Sequence, residues 1–484
     1  MRYATGSLDR AGPGVAAVRG ARRVTQSSRR ASNGASGNTP SVIIPAIRTD
    51  LPLLMHPTRR LIRHRALPWF LVVVALLLAA CRPAVRSDTT DFRPPPLILV
   101  SIDGFHPDYL DPVATPTLRA IAHEGVRARA MRPAFPSLTF PNHYTLVTGL
   151  VPDHHGVVHN QMTDPTATDQ VFRLSNREAV ENPLWWQDGE PIWNTARRAG
   201  LRSATMFWPG SEAPIRGHHP HYWRHFDMAL PPQDRVAQVL AWLDLPAARR
   251  PDFLTLYFDQ VDHDAHLHGP GSDEALAAVR RTDTALAGLV AGLKQRGLWE
   301  TSNLVVVSDH GMAETPPHQV VVIDDHLPAG TYRLVNRGAV AGLEPVAGAE
   351  PAFEAALARP IPHAQCWPKA RVPERFRFGS HRRIPAWVCL ADEGWTIADR
   401  AQLERHPPNP GAHGFDPALE SMAAVFIARG PDFRSGFVTE TFDNVDVYPL
   451  LARLLRIAPE PNDGDPSTTL PMMREGRDFT PNRR

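Results

Sequence analysis

Three apolar runs in this chain stop on acidic residues. The run 304–308 ends at Asp309-His310-Gly311, the run 97–102 ends at Asp103, and the run 253–258 leads into Asp259 and Asp262. His266 follows Asp262 by four residues, so on one helical turn the two face the same way. His413 and the hydroxyl of Thr139 complete a set of carboxylates, imidazoles and one alcohol. Mixed nitrogen and oxygen ligands suit zinc, and a set without cysteine suits a catalytic rather than a structural ion. Seven groups exceed one tetrahedral ion but fit two ions ~4 Å apart, the arrangement used in phosphoryl transfer. Such a pair would lower the pKa of the Thr139 hydroxyl, neutralise a non-bridging phosphate oxygen, steady the leaving oxygen and then activate water. Taken singly, Asp309-His310 reads equally well as a loop pair, and Thr139 reads better as a helix cap. The set as a whole points to chemistry. Asn160 closes the stretch 153–160 with an amide able to donate to a bound anion.

Elements of known type must hold these residues. Valine-rich runs at 97–102 and 304–308 read as strands buried on both faces, and 203–208, 253–258 and 423–430 as further strands. Helices are expected at 115–124, from Pro141 onward, before Gly200, at 230–245, at 272–297 and at 444–455. Strands alternating with helices give an α/β fold with a mostly parallel sheet, and ligands of such sheets gather at the carboxyl ends of strands. Thr139 lies between Pro136 and Pro141, at or just before a helix N-terminus, where backbone N–H groups favour an anion. Gly311 lets the chain turn away after the Asp-His pair.

The 484 residues carry a formal charge of +2, with much of the basic excess near the N-terminus, so nothing suggests a nucleic-acid surface, and 49 prolines indicate long loops over a rigid sheet. Residues 1–54 read as a disordered or overextended start, with Met55 a plausible initiator. Arginines 59, 60, 63 and 65 and the apolar run 69–80 make a secretory signal too short for a comfortable membrane span. Its ending, Leu78-Ala-Ala-Cys81, looks like a bacterial lipoprotein cleavage box with Cys81 as the lipidated residue; an uncleaved signal anchor is the alternative. Either way the protein is expected to be exported, tethered to a membrane and periplasm-facing, and a monomer. Residues 82–95 form a linker and 96–484 a single catalytic domain with a Pro-rich, irregular insertion at about 312–410. With Cys81 lipidated, Cys366 and Cys389 remain as a pair in an oxidising compartment; a bridge closing a loop of about 24 residues is worth roughly 3 kcal/mol.

Read jointly and in order, several segments resemble the nucleotide pyrophosphatase/phosphodiesterase family of the alkaline phosphatase superfamily. They are Val100-Ser-Ile-Asp-Gly-Phe105, Pro136-Ser-Leu-Thr-Phe-Pro-Asn142, Thr148-Gly-Leu-Val-Pro152, His155-Gly-Val-Val-His-Asn160, Gly189-Glu-Pro-Ile-Trp193, Phe207-Trp-Pro-Gly-Ser-Glu212, Ser308-Asp-His-Gly-Met312 and His413-Gly-Phe415. The resemblance covers most of 96–460. It implies an alkaline-phosphatase-like core and two zinc ions. One ion would be held by Asp103, Asp309 and His310 with Thr139 as nucleophile, the other by Asp262, His266 and His413. It also implies that Asn160 hydrogen-bonds a phosphate oxygen and that Phe140 and Tyr257 stack on a nucleobase. His263-Asp264 and Ser137-Leu138 depart from the family pattern without touching the ligand set. His154, His159, His268 and His318 are read as surface histidines or as supports behind the ligands.

The activity so implied is hydrolysis of small nucleotide diesters or anhydrides through a phospho-threonine, releasing nucleoside 5′-monophosphates. A lysophospholipid or choline-headgroup diesterase is the near alternative. A monoesterase is disfavoured because no Arg is placed near Thr139 to clamp a dianionic phosphate. A sulfatase is disfavoured because Phe140 and Pro141 follow Thr139 where Pro and Arg would be needed. A non-catalytic, lipid-anchored binding protein would have no use for the full ligand set.

Overall fold

The computed structural model describes residues 93–477 and Phe479. The expected extension, signal segment, Cys81 and most of the linker lie outside these residues. Among the described residues no helix is long and apolar enough to cross a membrane.

An eight-stranded sheet forms the centre. Its strands are β1 (Leu97–Ile102), β2 (Val126–Ala128), β3 (Ser203–Met206), β4 (Tyr222–Arg224), β5 (Phe253–Phe258), β6 (Asn303–Val307), β7 (Phe426–Arg429) and β8 (Phe437–Thr439), in the order β8-β2-β7-β6-β1-β5-β3-β4. Every neighbouring pair is parallel except the two made by β7, which runs against β6 and β2. This is the mostly parallel α/β sheet that the strand–helix alternation predicts. The direction of β7 is not written in its sequence, since a buried strand looks the same either way.

The valine-rich strands are covered on both faces, and their alternation sorts residues between two cores. Leu97, Leu99, Val305, Val307 and Phe253 join one cluster; Ile98, Val100, Ile102, Leu304, Val306 and Leu254 join the other. Helices α1 (Pro116–Glu124), α3 (Pro232–Leu243) and α5 (Asp273–Gln295) cover the second face with Leu118, Val239 and Leu286. Helices α2 (Thr139–Thr148) and α6 (Val447–Leu454) cover the first with Tyr144 and Leu450. Thr115 does not cap α1. Its hydroxyl donates to the carbonyls of Tyr109 and Asp111, and the first-turn amides of Thr117 and Leu118 donate instead to Asp283 of α5 at 3.1 and 2.8 Å.

The stretch 312–410 is more regular than its prolines suggest. It holds a four-stranded antiparallel sheet of Tyr332–Asn336, Val340–Pro345, Ala364–Pro368 and Trp387–Ala391, with its own core around Leu343, Phe353 and Ile397. Bulges and part-exposed strands blur the period-two pattern that would reveal it. Cys366 and Cys389 face each other across two of these strands and are disulfide-bonded.

Candidate active site

Three adjacent strands bring the acids together. β6, β1 and β5 lie side by side with Ser101 opposite Val307 and Ile102 opposite Phe258. Asp103 and Asp309 therefore leave neighbouring strand ends, and the amide of Asp103 still donates to Phe258 at 2.9 Å. β5 passes at once into α4 (Gln260–His268), which carries Asp262 and His266 on one turn. Gly104 sits at φ +68 with an added Cβ only 3.0 Å from Asp262, so this residue must be glycine for the two segments to meet. Gly311 serves close approach rather than a left-handed turn: a Cβ there would lie 2.2 Å from the carbonyl oxygen of Ser421.

Thr139 opens α2, two residues before the start read from the sequence. Its side chain caps nothing, and its Oγ1 lies 3.4 Å from His310 Nε2. The cap reading thus loses its partner. Asn160 Oδ1 accepts from the amide of Phe140 at 2.9 Å, which leaves the Asn160 amide group as the free, donating end.

The imidazoles are aimed by carbonyls. Nδ1 of His310, His266 and His413 donates to the backbone oxygens of Gly311, Gly411 and Ser137 at 2.9, 2.7 and 2.8 Å. A carbonyl can only accept, so each Nδ1 carries a proton, and in the neutral ring each Nε2 presents a lone pair. Those Nε2 atoms meet the carboxylates. His310 lies 3.5 Å from Asp103 and 2.9 Å from Asp309, while His266 and His413 lie 3.5 and 3.6 Å from Asp262 Oδ1. One oxygen each of Asp103, Asp262 and Asp309 is buried without a hydrogen-bond partner. A buried, unpaired carboxylate oxygen is costly unless a cation meets it, and the donor set therefore fits divalent ions. Three groupings here are close enough to hold one: Asp262 with His266 and His413, Asp103 with Asp262 and His310, and Asp103 with His143 and Asp309.

The electrostatics agree. Burial, then the charges of Asp309 and Asp262, push the Asp103 carboxyl well above its usual range. Burial also acts to raise Asp309, yet the imidazoles of His310 and His143 hold it well below that range. Burial drives His413 well down, and so do His310 and His266.

Two supporting residues and one ring escape sequence reasoning. His143 is fully buried; its Nδ1 donates to Thr139 O at 2.9 Å and lies 3.3 Å from Asp309 Oδ2, and its Nε2 meets the Ser101 hydroxyl at 2.8 Å. With its nitrogens engaged by Thr139 and Ser101, the ring is held against Asp309. Its only local signal is the four-residue spacing from Thr139. Tyr257, read as a stacking residue, is 7% exposed, and its hydroxyl donates to Asp103 Oδ2 at 2.6 Å. Its ring packs against His143 and Phe226. Phe226, in the loop after β4, is the more open ring and lines the same cleft of about 470 Å³ as Phe140, Thr139 and Asp262. We expect Tyr257→Phe to weaken metal affinity roughly 10- to 100-fold, as loss of a ligand-orienting hydrogen bond does; chelator competition measures it, and unchanged affinity would remove Tyr257 from the site. Of the other histidines, His159 is buried, with its pKa pushed down to about 4 by burial, while His154 and His268 are set apart from the ligand groupings. His318 lies in the turn before β-strand Val320–Val322.

Residues 97–416 match the family described as type I phosphodiesterase / nucleotide pyrophosphatase. The chain is 36% identical over 384 residues to ectonucleotide pyrophosphatase/phosphodiesterase family member 3 of Bos taurus, covering 77% of this chain and 43% of that protein. It is 35% identical over 395 residues to the venom phosphodiesterase CdcPDE of Crotalus durissus collilineatus, covering 77% and 46%. The chain thus spans less than half the length of these curated relatives. Human ectonucleotide pyrophosphatase / phosphodiesterase 5 superposes with a TM-score of 0.75 at 33% identity, over 78% of this chain and all of that one. The murine protein of the same name, as an inactive threonine-to-alanine variant in complex with AMP, superposes at 0.74.

Proposed function

Because the chain belongs to the type I phosphodiesterase / nucleotide pyrophosphatase family, we propose that it is a two-zinc hydrolase of small nucleotide diesters and anhydrides that releases nucleoside 5′-monophosphates through a phospho-threonine. The observation that carries this reading is the convergence of three partnerless carboxylate oxygens and three imidazole Nε2 atoms, one of which lies 3.4 Å from the Thr139 hydroxyl. Asp103, Asp309 and His310 would hold one zinc ion, and Asp262, His266 and His413 the other. Bound there, zinc supplies Lewis acidity toward the alcohol, the phosphate oxygens and water.

The chain's own residues do the rest. Thr139 Oγ1 loses its proton and forms the bond to phosphorus; the opposite P–O bond breaks, and the leaving oxygen keeps the electron pair. Water then adds to phosphorus from the vacated side, the bond to Thr139 breaks, and its oxygen regains a proton. Asn160 donates from its free amide to a non-bridging oxygen, beside the amides that open α2. Phe140 and Phe226 offer rings to a base. The arginine lining the cleft, Arg177, is tied to the Phe226 carbonyl at 3.0 Å, which suits a singly charged diester better than a dianionic monoester. The inactive, AMP-bound threonine variant of the murine relative supports the role of Thr139. The N-terminal pattern supports export with a lipid anchor.

Turnover of ATP, a nitrophenyl nucleotide ester, a lysophospholipid and a simple monoester, each with zinc supplied, tests the reading. The two nucleotide substrates should lead by roughly 100-fold in kcat/KM, the value of one or two base-stacking contacts. A lead for the lysolipid would move the enzyme to the headgroup class.

A further inference from the structure

A second cavity of about 340 Å³ opens on the far side of His266 and His413. It shares Asn160, His266 and His413 with the aromatic cleft. The two cavities differ in character. The aromatic cleft is lined by Phe, Trp, Tyr and several acids; the second chamber has no Asp or Glu in its lining and is edged by Arg337, Gln402 and His406. Arg337 lies in the turn between the strands Tyr332–Asn336 and Val340–Pro345, so a sheet fixes its backbone. Its side chain is exposed and makes no hydrogen bond or ion pair with any described residue. A guanidinium held without a partner at the mouth of an acid-free chamber is placed for an anion.

We propose that this chamber receives the leaving group and selects anionic, polyphosphate-type leaving groups, with Arg337 as the residue that reads their charge. The inference rests on the phosphodiesterase reading above. In-line displacement puts the leaving oxygen opposite the attacking one. If the nucleoside fills the aromatic cleft, the rest of the substrate must run past His266 and His413 into the remaining space. For a nucleoside triphosphate the bond from the α-phosphorus to the bridging oxygen breaks. Pyrophosphate departs with the electron pair, and its negative charge grows where Arg337 and His406 face it.

The test compares Arg337→Ala with the unaltered chain on ATP and on a nitrophenyl ester of a nucleoside monophosphate, whose leaving group carries no phosphate. The expected result is a roughly tenfold fall in kcat/KM for ATP, carried by KM, with the ester unchanged, and partial recovery in Arg337→Lys. The same substitution placed in a Thr139→Ala background should remove the preference for binding ATP over AMP in calorimetry. An equal fall for both substrates, or an unaffected ATP reaction, overturns the proposal while leaving the phosphodiesterase reading intact. Failure of the unaltered chain to hydrolyse either substrate overturns that reading, and the leaving-group role with it.

Discussion

Thr139→Ala is expected to fold normally, keep two zinc ions and lose turnover by roughly 10,000-fold or more, the scale on which removing a covalent nucleophile acts. The expectation of normal folding comes from what the side chain does not do. Thr139 is the first residue of α2, makes no capping bond, and has only the 3.4 Å contact with His310 at its hydroxyl. Alanine suits a helix at least as well as threonine. The three carboxylates and three imidazoles that would hold the ions remain in place, each imidazole still aimed by its carbonyl. What disappears is the hydroxyl proposed to form the bond to phosphorus. Metal analysis and single-turnover assays on the purified variant check both halves. A variant with near-normal diester hydrolysis would mean that water attacks directly and no phospho-threonine forms.

Asp262→Ala and His413→Ala should each lower the zinc content from two toward one per chain and cut kcat by roughly 1,000-fold, several kcal/mol of lost charge stabilisation. Asp262 Oδ1 stands between His266 and His413 at 3.5 and 3.6 Å and belongs to two of the candidate ligand groupings. Its removal therefore disturbs the whole centre. His413 is anchored to Ser137 two residues from the nucleophile, so its loss also loosens the loop that leads into α2. The two variants differ usefully: Asp262→Ala should also weaken the remaining ion, because Asp262 lies within reach of Asp103 and His310, whereas His413→Ala should not. Retention of two tightly bound ions in both would break the assignment of these residues as ligands.

How much of this could be read beforehand differs from residue to residue. Asp103, Asp309 and Asp262 are visible because each follows an apolar run, and a buried parallel strand has to release its chain at a sheet edge. Asp262 and His266 are visible because four residues make a helical turn. Phe226 and Tyr257 are the opposite case. Both are aromatic residues in or beside a strand that line the cleft, and nothing in their neighbours says which has the more open ring and which has its hydroxyl on Asp103. The sheet inside 312–410 stayed hidden because its strands are short, bulged and half-exposed, so no clean alternation marks them.

The elements and the donor types are legible along the chain: which runs are strands, and where acids and imidazoles sit on them. Folding sets which donors face one another, which nitrogen of each histidine points inward, and that His143 is held 3.3 Å from Asp309, 166 residues away along the chain. The reason is physical. Periodicity reports the face a residue presents within its own helix or strand, whereas the aim of an imidazole is set by a carbonyl on another segment. For His266 and His413 those carbonyls, Gly411 and Ser137, lie 145 and 276 residues away along the chain.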